Sequence, residues 1–212
     1  MISEKDLLGR LPQSVSHWLG YRENAPKPPA KYLVHFWSFI AAFCGLCVVQ
    51  AIFNYSSYFI ERGVPGLVAS YGASAVLVYG SIEAPLAQPR ALIGGHFLSA
   101  LVGICITKLF SLMPNEEKFN SLRWLAASLS SAVAIVVMQI TETTHPPAGA
   151  TALLPAVDEA VWALSWYYLP VVLLSSTMIL VVALILNNIQ RRYPVFWINP
   201  PAAKPVLPKV SK

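Results

Sequence analysis

The segment Thr143-Thr144-His145-Pro146-Pro147-Ala148-Gly149-Ala150-Thr151-Ala152-Leu153-Leu154 governs how the rest of the chain is read. His145 and Pro146 each stand before a proline, which pushes both from helical toward extended backbone. Pro147 then suits the first position of a helix, where no N–H is needed. The residues that follow are small and apolar up to Val157, and Asp158 and Glu159 come next. As a helix, residues 147–157 rise about 16 Å, against about 30 Å of bilayer hydrocarbon. Such a piece cannot cross a membrane alone. It is either a half-helix or the buried start of a longer broken one.

The hexamer Gly149-Ala150-Thr151-Ala152-Leu153-Leu154 has a counterpart upstream, Gly72-Ala73-Ser74-Ala75-Val76-Leu77. Each copy follows a long apolar run, sits in a short segment opened by proline (Pro65 for the first) and precedes another long run. The apolar runs cover residues 32–53, 64–80, 91–113, 122–140 and 164–186, with a polar loop at 114–121. The pattern predicts an all-α fold, a polytopic membrane helical bundle. About six membrane segments are expected, as a 3+3 inverted repeat with short broken helices and halves of about 32–113 and 122–188; four crossings fit instead if residues 64–80 and the short motif stretch are both re-entrant. Three is odd, so the second half would run inverted. Paired Gly/Pro-interrupted segments in inverted halves point to a binding site. Small residues that merely let helices pack closely are the competing explanation.

Composition agrees. Hydrophobic residues are 56% of the 212 and charged residues 12%, where a soluble domain carries about 25% charged. Mean hydropathy is +0.56. The net charge of +5 gathers in two tails, 1–31 (Lys5, Arg10, Arg22, Lys27, Lys31) and 189–212 (Arg191, Arg192, Lys204, Lys209, Lys212). Charge placed beside spans sets orientation and does not suggest nucleic acid, so both termini are expected on the cytoplasmic side, with an even number of crossings. Leu7, Leu8, Leu11, Val15, Trp18 and Leu19 have helical spacing, with Ser3 and Asp6 as a cap, and suggest an interfacial helix. A frayed tail is the alternative. Residues 25–30 read as a Pro-rich hinge and the Pro/Lys-rich C-terminal tail as disordered. Trp162, Trp166, Tyr167 and Tyr168 form an expected aromatic belt. The first apolar run begins near residue 32, too far in for a secretory signal, and Glu4, Asp6 and Glu23 argue against a transit peptide.

Three blocks carry a family resemblance: residues 144–154, then Gly72-Ala73-Ser74-Ala75 with Ala84-Pro85-Leu86-Ala87-Gln88-Pro89-Arg90, then Ile93-Gly94-Gly95-His96. In order and spacing, residues 32–188 resemble the HPP family of membrane proteins; the tails are not covered. Members in plant plastids and cyanobacteria are described as nitrite transporters. The resemblance implies transport of a small inorganic anion, nitrite and also nitrate.

The residues suggest how. N–H groups near Ala148, Gly149 and Ala150 are expected free at a helix start, with Gly149 allowing close approach and Thr151 adding a hydroxyl. By the repeat, Ser70, Gly72 and Ser74 offer a similar set. Arg90 is the expected cation facing the anion, with Glu83 as ion-pair partner; lipid headgroup contact is its alternative. His145 is expected to touch the anion and to carry a proton, and His96 is a similar candidate. Each has a purely structural alternative, a neutral imidazole satisfied inside the fold. Glu142 is expected to orient His145 or to be an interfacial charge. No enzymatic activity, cofactor or metal is expected; the partners are the anion, the bilayer and a second copy in a dimer. Two other classes compete. Cys44-Gly45-Leu46-Cys47 would suit a membrane thiol oxidoreductase, though buried thiols are usually packing. The stripe Ala91, Gly95, Ser99 and Gly103 would suit a structural module that assembles partners, or packing inside the chain.

Overall fold

The structure, a computed structural model, describes residues 4–24 and 29–200. Most of the expected hinge, the Ser3 cap and the last part of the C-terminal tail (201–212) lie outside the described residues.

Two short helices, α1 (Glu4–Gly9) and α2 (Gln13–Trp18), are separated at Pro12, which stands at the N-cap of α2. The single N-terminal helix expected is thus broken where proline cannot continue it. Leu7, Leu11, Val15 and Trp18 remain exposed on this pair, an apolar stripe suited to the membrane interface. The long α3 (Lys31–Tyr55) is followed by α4 (Ser57–Ile60) and a reversal at Gly63, whose positive φ suits glycine. Residues 64–69 are not helical, and α5 (Ser70–Ala75) then widens into a π-helical turn, Val76–Gly80. A second π turn, Arg90–Gly94, leads into α6 (Gly95–Ser111). Asn115 caps α7 (Glu116–Ile140) by accepting from the Lys118 N–H at 2.9 Å, and two glutamates in the first turn suit the dipole. The motif helix is α8 (Pro146–Val157). Asp158 does not extend it; the Asp158 carboxylate accepts from Val161 N–H and starts α9 (Glu159–Leu164), which leads to α10 (Tyr168–Asn187).

Among the described residues, four helices are long and apolar enough to cross a membrane: Lys31–Tyr55, Arg90–Ser111, Glu116–Ile140 and Glu159–Asn187. The other two segments expected to span do not reach across as helices. Residues 70–80 and 146–157 rise about 17 and 18 Å.

Helix α6 is the hub and packs against α7, α8 and α10, while α5 packs on α8 and α3 on α10. Small residues permit the close approaches. A Cβ on Gly103 would overlap the backbone of Ala152, and one on Gly95 would come within 2.8 Å of His145 Cβ and of the Thr143 carbonyl. The stripe on α6 is therefore consumed inside the chain, with Ser99 fully buried beside Met138, and offers no free face for a partner. Outward-facing residues are large and apolar, among them Phe39, Phe43, Val76, Ile140 and Ile185. Cys44 is half-buried and Cys47 exposed, both as free thiols.

Two tail expectations change. Tyr168 leaves the aromatic belt: it is fully buried, because its hydroxyl reaches the Thr151 carbonyl at 3.4 Å. Residues 188–200 are not a free tail. Asn188 binds Trp18 and Leu184 carbonyls, Arg22 donates to Asn188 Oδ1 at 3.0 Å, and Trp197 donates to the Leu19 carbonyl at 3.1 Å. The two ends of the chain thus interlock. Burial, together with the charge of Arg192, lowers the Arg22 pKa from its ordinary value. Buried Tyr193 donates to the Ala87 carbonyl, and Val195 N–H to Gln88 Oε1, which pins the 81–89 link to the C-terminal segment.

Candidate functional site

Helices α5 and α8 run antiparallel and overlap at their N-terminal ends. Ser70 Oγ lies 2.8 Å from Thr151 Oγ1, and Ser74, one turn further along α5, lies 2.9 Å from Nε2 of His145, which stands before α8. The first turn of α6 inserts His96 between them. His96 Nε2 is 2.7 Å from Ser74 Oγ, and His96 Nδ1 is 2.7 Å from Thr151 Oγ1. His145 Nδ1 donates to the Leu86 carbonyl at 2.7 Å. Ser74, His96, His145 and Thr151 are completely buried and Ser70 almost so. Tyr71 stacks on His96 at 4.4 Å, its hydroxyl held by the Val172 carbonyl at 2.6 Å and by Ser176 at 2.7 Å.

The local sequence explains this convergence. Extended backbone at His145, enforced by Pro146, projects its ring away from α8 toward α5. Gly94 and Gly95 leave room for Thr143 and His145, so the ring of the next residue, His96, can reach the same point. Burying so many polar groups is tolerable because each has a partner.

Of the residues expected in the site, Ser70, Ser74, His96, His145 and Thr151 come together. Gly72, Gly149, Ala150 and Arg90 do not. Gly149 faces Ser131 on α7 and Ala150 is exposed, because successive helix positions turn by about 100° and Thr151 holds the inward face. Gly72 has nothing within 4 Å of a Cβ, so no close approach needs it. The first three positions of α8 present no free amide. Pro146 and Pro147 carry no N–H, and Ala148 N–H bonds the His145 carbonyl at 2.8 Å. Hydroxyls and imidazoles replace amides as the polar lining.

Arg90 stands in a cavity of about 420 Å³, open to the outside and walled in part by Leu86, Thr144 and Ile198. Its guanidinium donates to the Thr141 carbonyl at 2.7 Å and the Ile198 carbonyl at 3.1 Å, and pairs with Glu142 at 3.3 Å. Glu142, and not Glu83, is its partner, and Glu142 does not touch His145. Leu86 and Thr144 belong to both places: they line the vestibule and adjoin His145.

The opposite ends of the broken helices carry arginines that the sequence did not single out. Arg191 donates to the Tyr79 carbonyl at 3.2 Å, beside Ser38 at 2.9 Å, where the π turn after α5 ends. Arg123 donates to the Ala156 carbonyl at 2.7 Å, near the end of α8, and pairs with Glu159. Cations there suit the negative ends of the helix dipoles. Arg123 stood alone at the edge of an apolar run, and Arg191 was read with Arg192 as tail charge. Tyr71 was hidden as one aromatic among many, and the Leu86 carbonyl has no side-chain signal at all.

The chain matches the family described as "HPP, transmembrane region" over residues 27–194. It is similar to a transmembrane protein of Dictyostelium discoideum, 38% identical over 190 residues covering 87% of this chain and 63% of that relative. A second transmembrane protein of the same organism is 40% identical over 165 residues, covering 76% of this chain and 50% of that relative. The chain thus spans between half and two thirds of the length of these curated relatives. No solved structure matches it.

Proposed function

The chain belongs to the HPP family of transmembrane proteins, and from that membership and the buried cluster we propose that it moves a small inorganic anion across the bilayer, nitrite before nitrate. The observation that carries the reading is the meeting of buried hydroxyls from α5 and α8 with two imidazoles around His96. A buried anion without polar partners would cost several kcal/mol. Hydroxyl and imidazole donors of the cluster supply hydrogen bonds once their mutual pairs open, and the vestibule with Arg90 provides an approach from one side.

The six-segment inverted arrangement belongs to this proposal. Gly66 touches Asn54 at the far end of α3, whereas Tyr79 is bonded to Ser38 near its start. Residues 66–79 therefore pass back along most of α3, non-helical over 66–69 and helical from Ser70 onward. Likewise α8 starts beside Gly95 and has Ala156 beside Arg123, near the opposite end of α7 from Thr141. Counted this way, the chain crosses six times and returns both termini to one side, which the basic tails assign to the cytoplasm. Repeat-related positions make matching contacts. Ser74 and Thr151, each two residues past the repeat glycine, flank His96 from either ring nitrogen. Tyr79 and Ala156, each seven past it, offer their carbonyls to Ser38 of α3 and Arg123 of α7.

The test is flux into vesicles holding the purified protein, with nitrite, nitrate and chloride compared. Nitrite uptake well above empty vesicles is expected. Uptake equal to empty vesicles for all three ions would refute the reading.

A further inference from the structure

The cluster contains more information than its composition. A carbonyl oxygen can only accept, so the contact with Leu86 places a proton on His145 Nδ1. A neutral His145 then has a lone pair at Nε2, and Ser74 must fill it. A hydroxyl has one proton to give, so Ser74 accepts from His96 Nε2–H. That leaves His96 Nδ1 as an acceptor for the Thr151 hydroxyl, which in turn accepts from Ser70. The remaining neighbour of Ser74, the Ser70 carbonyl at 3.3 Å, is the longest contact of the set and goes without that proton. One carbonyl thus orients every hydrogen from Ser70 to Leu86.

We propose that Ser70, Thr151, His96, Ser74 and His145 form a proton wire with a built-in polarity, by which the protein moves a proton together with its anion. The coupling rests on the anion-transport reading above; the wire itself does not. A proton arriving at Ser70 passes to Thr151, and the Thr151 hydroxyl proton goes to His96 Nδ1. The proton on His96 Nε2 moves to Ser74, and the Ser74 hydroxyl proton moves to His145 Nε2. Only O–H and N–H bonds break and form, nothing is oxidised, and the net change is one proton delivered to His145. The Leu86 carbonyl cannot itself hold a proton, so His145 Nδ1 gives its proton up to water entering from the vestibule that Leu86 lines.

The surroundings suit a transient charge on His96. The Tyr71 ring, stacked on it from α5, offers a π face to an imidazolium. From α10, Tyr168 reaches only the Thr151 carbonyl, and from α7, Met138 meets Ser99. His145 is the one titratable ring in contact with His96 besides Tyr71, at 4.9 Å between centroids. Among the described residues no carboxylate, Lys or Arg hydrogen-bonds either imidazole; the Arg90–Glu142 pair stays in the vestibule. A proton travelling with a monovalent anion also cancels its charge, which lowers the cost of passing through a low-dielectric interior.

The test has two arms. In vesicles containing a pH-sensitive dye, a nitrite gradient is imposed and proton and nitrite movement are recorded together. Wild-type protein is expected to acidify the interior as nitrite enters. Ser74→Ala, which cuts the wire, is expected to lower proton flux about a hundredfold, within the range a positioned proton-transfer group contributes. Ser74→Thr, which keeps the hydroxyl as Thr151 does, is expected to restore it. Nitrite entry without proton movement would overturn the wire and leave anion transport standing. Proton movement without nitrite entry would do the reverse for the transport reading and end the coupling. In the second arm, ¹⁵N-histidine NMR of the wild-type protein is expected to show His145 protonated at Nδ1 and His96 at Nε2. This arm needs neither flux nor a variant that folds. Any other pair of tautomers at neutral pH overturns the assigned polarity.

Discussion

Helices α5 and α8 share a hexamer and an antiparallel fit, yet they begin differently. Helix α8 is announced by His145-Pro146-Pro147, so its ring-bearing N-cap and its missing amides are written in the chain. Helix α5 starts at Ser70 after a non-helical stretch, and the position matching His145, four residues before the repeat glycine, is buried Val68. The scaffold is therefore paired but the chemistry is not. Each helix gives one hydroxyl to His96, while only one brings a second imidazole. Their far ends differ too: Arg191 closes one from the C-terminal segment, and Arg123 closes the other from within α7. Two similar broken helices can thus carry a directional site, because direction needs only one unmatched group.

The comparison can be broken most severely at the contact that holds α8 on α6. Gly103→Leu would drive a side chain into the Ala152 backbone. We expect a loss of more than about 3 kcal/mol of stability, seen as absence of a monodisperse peak on size-exclusion chromatography in detergent. Normal elution with an unchanged melting temperature would mean that α6 and α8 are not packed this closely.

The imidazoles come next. His96→Ala removes the shared partner of the Ser74 and Thr151 hydroxyls, whereas His145→Ala removes one partner of Ser74 and the donor to the Leu86 carbonyl. Nitrite uptake is expected to fall about a hundredfold for the first and about tenfold for the second. The opposite ranking, with both variants folded, would move the centre of the site to His145.

At the carbonyl ends, Arg191→Met and Arg123→Met separate the two caps. Arg191 is the more deeply enclosed and also bonds Asn187 Oδ1 at 2.7 Å. Its loss is expected to cost about 2 kcal/mol, and loss of Arg123 about 1 kcal/mol, in melting experiments in detergent. Equal losses would make the caps equivalent.

The smallest effect sharpens the pairing itself. If Ser74 and Thr151 play one role from two helices, the double exchange Ser74→Thr with Thr151→Ser should leave nitrite uptake within about threefold, roughly 0.6 kcal/mol. A larger loss would show that the extra methyl of Thr151 has its own packing role on α8.

Much of the frame was legible in the chain. The two short segments, the class and four of the long apolar runs follow from hydrophobic length and from proline, which act through local backbone geometry. His145, His96, Thr151, Ser70 and Ser74 were also legible, since a polar side chain within an apolar run needs a partner. Gly72, Gly149 and Ala150 were misplaced, because motif membership says nothing about which way a position faces on the helix.

By itself the sequence determined where the long apolar helices lie and where the motif helix starts, since prolines and apolar runs exert their effects within a few residues. Only the tertiary structure decided that Arg90 pairs with Glu142 in a vestibule, that residues 188–200 lock onto the N-terminal helices, and that a backbone carbonyl at Leu86 orients the buried protons. Those contacts join residues between about fifty and 170 positions apart, and their geometry is set by helix packing, which no local pattern encodes.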